Sequence, residues 1–171
     1  MDVLEAIRAK RAIRQFADKS LPDDAIRAIL NAGRRAQSSK NTQPWQFVAV
    51  TEKDVLTRLS QTGDFASHLA GAALGVVLAA PDEPEGLDWL MFDLGQAASY
   101  MQLAAWELGI GSVIATIYHP DQARAILGVP DDHRCDVALS FGYPANASLM
   151  SDSPRPGGRK SLDEMVHTNH W

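Results

Sequence analysis

The chain has 171 residues, 46% hydrophobic and 22% charged, which suits one domain spanning 1–171 with a core that needs no disulfide or structural metal. A net charge of −5 offers no bulk attraction for nucleic acid or an anionic membrane, so any anion site has to come from a local basic cluster. The single cysteine, Cys135, excludes an intrachain disulfide and fits a reducing, cytoplasmic setting.

The opening run MDVLEAIRAKRAIRQF is charged every few positions and has no apolar centre, so no signal peptide is expected. Asp2 is placed to cap a short helix through Ala9, with Val3, Leu4 and Ile7 as its apolar stripe. A second helix follows Pro22, begins with Asp23 and Asp24 at the positive end of its dipole, and carries Ile26, Ile29, Leu30 and Gly33 at helical spacing to about Ala36. The polar run Gln37–Gln43 breaks that pattern. Pro44 then opens a strand, Trp45 to Thr51, and a short helix covers Asp54 to Leu59.

Gly75 to Ala80 is an almost continuous apolar run, read as a strand buried on both faces. Leu87 to Leu108 is the longest helix. Its apolar positions cover more than one stripe, so it is central or buried against a partner, and Asp88, Asp93, Gln96, Gln102 and Glu107 exclude a membrane span. Gly109 and Gly111 end it before a strand, Ser112 to Ile117. Asp121 to Leu127 is a short helix closed by Gly128 and Pro130, and Cys135 to Phe141 is a fourth strand. Ala145 to Gly158, rich in Ser, Pro and Gly, reads as an extended arm, and Ser161-Leu-Asp-Glu164 as a capping box opening a last short helix. Few strands among many helices, with no strand–glycine loop–helix unit at the start, favour an α+β fold over a doubly wound one.

Three stretches could carry chemistry. Arg8, Lys10, Arg11 and Arg14 form either a solvated basic surface or a local anion site, and guanidinium forks suit a phosphate monoester. Gln37-Ser-Ser-Lys-Asn-Thr-Gln43 is either a loop whose side chains satisfy its own backbone or a cradle for a polyhydroxylated or heterocyclic ligand. Gly157-Gly-Arg-Lys160 is a basic tip, free in solvent or reaching to an anion or a partner chain. Other patterns point nowhere. Gly109-Ile-Gly111 follows a helix and precedes a strand, the wrong order for a dinucleotide fingerprint. His119, His133 and Cys135 lack zinc-site spacing, as do His167 and His170, and no G-x-S-x-G elbow suggests a hydrolase.

Taken in order, these stretches resemble the FMN-dependent nitroreductase family. Lys10-Arg-Ala-Ile-Arg-Gln-Phe16 is similar to its basic motif, commonly Arg-Arg-Ser-x-Arg-x-Phe. Ser38-Ser-Lys-Asn-Thr-Gln-Pro-Trp-Gln-Phe47 resembles its polar loop and following strand, and is the most specific match. Asp93-Leu-Gly-Gln-Ala-Ala-Ser-Tyr-Met-Gln-Leu-Ala-Ala-Trp-Glu-Leu-Gly-Ile-Gly-Ser112 resembles its long central helix. Leu127-Gly-Val-Pro130, Phe141-Gly-Tyr-Pro144 and Gly158-Arg-Lys-Ser-Leu-Asp-Glu-Met-Val-His167 extend the likeness over essentially the whole chain.

The resemblance implies a central, mostly antiparallel sheet flanked by helices, a long central helix, and a C-terminal arm exchanged within a homodimer. It implies that Lys10, Arg11, Ala12 and Arg14 line the FMN phosphate and ribityl chain, with Arg159 and Lys160 closing on the phosphate. Ser38, Ser39, Asn41 and Gln43 fall in the loop that packs on the flavin, often from the second subunit. Backbone groups of Ala115, Thr116, Ile117 and Tyr118 would lie near the isoalloxazine ring. No catalytic side chain and no metal are called for: NADH or NADPH passes hydride to flavin N5, leaves, and a small acceptor such as a nitroaromatic, a quinone, an enone or free flavin takes its place. The open alternatives are an enzyme of this fold that uses or consumes another flavin-like cofactor, and a flavin-binding module without turnover.

Two departures stand out. Lys10 and Ala12 replace the commoner Arg and Ser, and the lost hydroxyl removes a phosphate hydrogen bond worth about 1 kcal/mol. Only Pro81–Gly86 separates the second strand from the long helix, where many relatives insert pocket-covering helices. The pocket is then more open, or is covered by another segment such as Ala145–Pro156.

Overall fold

Residues 2–83, 87–151 and 158–171 are described by the structure, a computed structural model. Helix α1, Val3–Ala9, starts as expected at Asp2, whose side chain accepts from the Glu5 N–H at 2.9 Å. Helix α2, Asp23–Arg34, has its two aspartates in the first turn and Arg34 in the last, each matched to the dipole end it faces. Strand β1, Gln46–Val50, and helix α3, Lys53–Leu59, follow, then β2, Leu74–Pro81. The long helix α4 is Leu87–Glu107, and β3, Gly111–Thr116, leaves it through Gly109. Helix α5, Pro120–Leu127, comes next, and β4, His133–Gly142, completes the sheet.

The four strands lie in the order β1-β2-β4-β3, and every pairing is antiparallel. Alternation along β2 explains the architecture. Leu74, Val76, Leu78 and Ala80 pack on one side with Ile29 of α2 and Leu94, Ala97, Ala98, Met101 and Ala105 of α4. Val77 and Ala79 point the other way, against Leu56 and Leu59 of α3 and Ala123 of α5. The apolar run seen in the sequence therefore reflects helices on both faces of an antiparallel sheet. Each large side chain buried here contributes about 2 kcal/mol relative to exposure. A smaller cluster of Ala6, Ile13 and Trp106 joins α1 to the end of α4.

Two expectations near the C-terminus need correction. Ser161 does make a capping-box contact, with its N–H and hydroxyl 2.8 and 2.9 Å from Glu164 Oε2, but only a turn follows it. All of residues 158–171 are exposed, and a few residues without a surface to pack on cannot offset helix nucleation. The arm is not uniformly extended either. Ala147–Met150 forms a 3-10 turn capped by Asn146, whose side chain accepts from the Ser148 N–H, while 152–157 of that arm lie outside the described residues.

Candidate functional site

The basic segment is set by what anchors it. The Lys10 N–H closes α1 on the Ala6 carbonyl, Ala12 bridges Ser112 at the start of β3, and the Ile13 N–H donates to the Ser112 carbonyl at 3.0 Å. Gly111 makes this close approach possible, since a Cβ there would lie 2.7 Å from Ile13 Cβ. With Ile13 buried, its neighbours Ala12 and Arg14 turn outward. Arg11 donates from Nε to the Ala9 carbonyl, and its guanidinium carbon is 6.0 Å from the centroid of the Trp106 ring.

The charges in this region crowd one another. Burial, and then the Arg159 guanidinium, lower the Lys10 ammonium from its ordinary value. Arg159, near the other end of the chain, is thus close enough to act on Lys10 as a like charge, an effect that a bound anion would relieve. Lys160 is exposed beside Arg159. Arg14 acts in turn on His68, a buried imidazole whose Nδ1 is 2.7 Å from Ser140 Oγ. Burial lowers the His68 pKa most, Arg14 adds to that, and a hydrogen bond with the Phe65 backbone opposes it.

At the other end of β3, most of the backbone is already committed. Ala115 and Thr116 pair with Ala138 and Val137, and the Ile117 N–H donates to the Asp136 carbonyl. The N–H groups of Tyr118 and His119 both donate to the Thr62 carbonyl, at 2.8 and 3.0 Å. Gly63 seats this loop: a Cβ there would be 2.2 Å from the Thr116 carbonyl oxygen. What this corner offers a ligand is side chains, namely exposed Thr116 and the exposed rings of Tyr118 and Phe65.

The polar loop belongs to the opposite edge, where it leads into β1. Ser39–Asn41 forms a 3-10 turn, and the Gln43 N–H donates to Ser38 Oγ at 2.9 Å. Lys40, Asn41 and Gln43 have φ of 50°, 56° and 50°, left-handed values that L residues adopt at a cost. The Ser39 N–H donates to Oδ2 of Asp93 at 2.9 Å, tying the loop to α4. A cavity of about 520 Å³ lies between them, with Ser39, Thr42, Pro44, Trp89, Leu90 and Asp93 in its wall.

In one chain Lys10, on which Arg159 acts, and Arg14, which acts on His68, thus lie near the β3 edge. Ser38, Ser39, Asn41 and Gln43 lie by the β1 edge, three strand spacings or about 14 Å across the sheet. The sequence reading did not single out His68, Phe65 or the role of Asp93. Asp93 left one signal, an acid inside a helix otherwise apolar on that face. His68 and Phe65 left none, because their neighbours come from distant parts of the chain.

A model of the nitroreductase family matches residues 7–62 and 64–143. A protein of Archaeoglobus fulgidus, named by inference as an NADH dehydrogenase/NAD(P)H nitroreductase, is 32% identical over 149 residues, covering 84% of this chain and 86% of that one. An NADPH-flavin oxidoreductase of Vibrio harveyi is 25% identical, over 99% of this chain and 75% of its own. Among solved structures, an FMN-dependent nitroreductase from Clostridium difficile superposes with a TM-score of 0.87 at 28% identity, covering 99% of this chain and 100% of that one.

Proposed function

The chain belongs to the nitroreductase family, and from that premise we propose that it is an FMN-dependent oxidoreductase drawing electrons from NADH or NADPH, its site completed by a second copy of the chain. The observation that carries the reading is the basic segment fastened to β3: Ala12 bridges Ser112, the Ile13 N–H donates to the Ser112 carbonyl, and with Ile13 buried Arg14 turns outward. Lys10, Arg11 and Arg14 put ammonium and guanidinium donors along this one anchored segment, a set that fits a phosphate monoester, and Arg159 acts electrostatically on Lys10 from the C-terminal segment. The donor set therefore suits FMN. When bound, FMN supplies the redox chemistry, taking electrons from the nicotinamide and giving them to the acceptor.

The rest is the work of the chain. Lys10, Arg11, Arg14, Arg159 and Lys160 hold the phosphate and ribityl end. Thr116 and Tyr118 border the ring, and the backbone bonds from Ile117 and Tyr118 keep that corner rigid rather than binding ligand. Ser38, Ser39, Asn41 and Gln43 of the second copy supply hydroxyls and amides against the ring. Two features support a shared site: the two sets of residues lie at opposite sheet edges, and 158–171 and the outer face of α1 have apolar side chains without cover in one chain. The acceptor is a small planar organic molecule such as a nitroaromatic or quinone. The cysteine thiol of Cys135 is buried and unpaired, in keeping with a cytoplasmic location.

The test is to load the purified protein with FMN, desalt it, and add NADPH or NADH without oxygen. Retained flavin absorbance that bleaches, and returns when a nitroaromatic or quinone is added, is the expected result. Flavin that is retained but never bleaches points to a binding module, and no retained flavin defeats the reading. A mass other than that of FMN in the extracted flavin of the protein as purified would point to a different cofactor.

A further inference from the structure

Asp93 is a buried acid whose surroundings ask for a role. It is 5% exposed and sits beside the core residues Leu94, Ala97 and Ala98 on α4. Burying a carboxylate is costly unless a donor compensates it. The donor is the Ser39 N–H at 2.9 Å, 54 positions earlier in the chain. A residue serving only the core would be apolar.

The loop that Asp93 holds needs holding. Ser39 to Gln43 are all exposed, so no buried apolar side chain fastens them. Three non-glycine residues there are left-handed, a state that relaxes unless other interactions fix it. Bonds from Asn41 N–H to the Ser38 carbonyl, from Thr42 N–H to the Ser39 carbonyl, and from Gln43 N–H to Ser38 Oγ shape the loop internally. The bond from Ser39 to Asp93 fixes that shape to the body of the protein.

We propose that Asp93 is a positioning residue acting in trans: by clamping Ser39 it holds loop 38–43 in the form that completes the flavin site of the partner subunit. This rests on the reading of the loop as part of a shared FMN site. Asp93→Asn keeps an oxygen that accepts from Ser39, so its FMN affinity stays within about twofold of the wild type. Asp93→Leu keeps the branched outline in a somewhat larger side chain and loses the acceptor, and FMN affinity falls by about tenfold or more while the flavin-free protein melts much as before. If the leucine variant does not fold, Asp93→Ala takes its place.

The direction of action is read from mixed dimers, co-expressed with two affinity tags. One chain carries Asp93→Leu, and the other carries Arg11→Ala with Arg14→Ala. In trans, the Asp93→Leu chain keeps its cations and receives an intact loop, so each mixed dimer holds one FMN tightly. A mixed dimer that holds none overturns the proposal, as does an Asp93→Leu homodimer that binds FMN as tightly as the wild type. A wild-type chain that takes up no FMN defeats the underlying reading itself, which separates the two failures.

Discussion

Strand β2 hides every side chain from Leu74 to Ala80, whereas α1 turns Val3, Leu4 and Ile7 to solvent at 69%, 79% and 58% exposure. The C-terminal segment resembles α1: Leu162, Met165 and Val166 are all exposed. The centre of the sheet is finished within one chain, with helices over both faces and the inner strands β2 and β4 paired on both sides. The two ends of the chain are not. They also carry Lys10 and Arg159, of which the second acts on the first as a like charge, so the unfinished apolar surface and the unfinished charge balance occur together. The difference suggests that stability resides in the sheet and that function waits on association.

The sharpest way to divide the two regions is to remove charge from the unfinished one. Arg11→Ala with Arg14→Ala should leave a folded protein whose FMN affinity is lower by at least about a hundredfold, since each charged hydrogen bond is worth about 1.5–3 kcal/mol. Equilibrium dialysis against FMN measures this, and unchanged affinity would mean that the cluster is ordinary surface. Next in size, Leu4→Asp with Ile7→Asp should weaken self-association by about 2–3 kcal/mol with little change in far-ultraviolet circular dichroism. If those aspartates unfolded the chain instead, α1 would belong to the finished part.

The effect that is smallest at neutral pH concerns the sheet. Burial, with the Asp136 carboxylate beside it and Arg124 opposing, pushes the Cys135 thiol up to about 11. The unfolded thiol titrates at about 8.5, so the folded state favours the neutral form. Stability is therefore untouched by this group below about pH 8.5 and is lost as pH rises toward 11, by about 2–3 kcal/mol. Denaturant melts of wild type and Cys135→Ala should keep a constant gap at neutral pH, and the gap should change only in alkali. Ready thiol modification of the native protein at pH 8 would contradict this burial.

Much of this contrast was legible in the sequence, for reasons that differ by element. Helix α2 and strand β2 could be read because burial on one or two faces leaves a local period. The wide apolar girth of α4 was also visible, and it has two causes in the structure: Leu94, Met101 and Ala105 face the core, while Trp89 and Phe92 remain exposed. The expected last helix failed because a capping box supplies an end but no packing surface. The clamp between Asp93 and Ser39, and the pairing of His68 with Ser140, could not be read, since no local pattern links residues so far apart in the chain. Of the candidate residues, Lys10 and Arg159 illustrate the same limit: each is visibly basic, but only the fold lets one act on the other.

Analytical ultracentrifugation of the FMN-loaded protein, followed at the visible flavin band, tests the central claim most directly. Flavin absorbance sedimenting at twice the 18.6 kDa chain mass is the expected result. Flavin that travels with a single chain would contradict a site built from two.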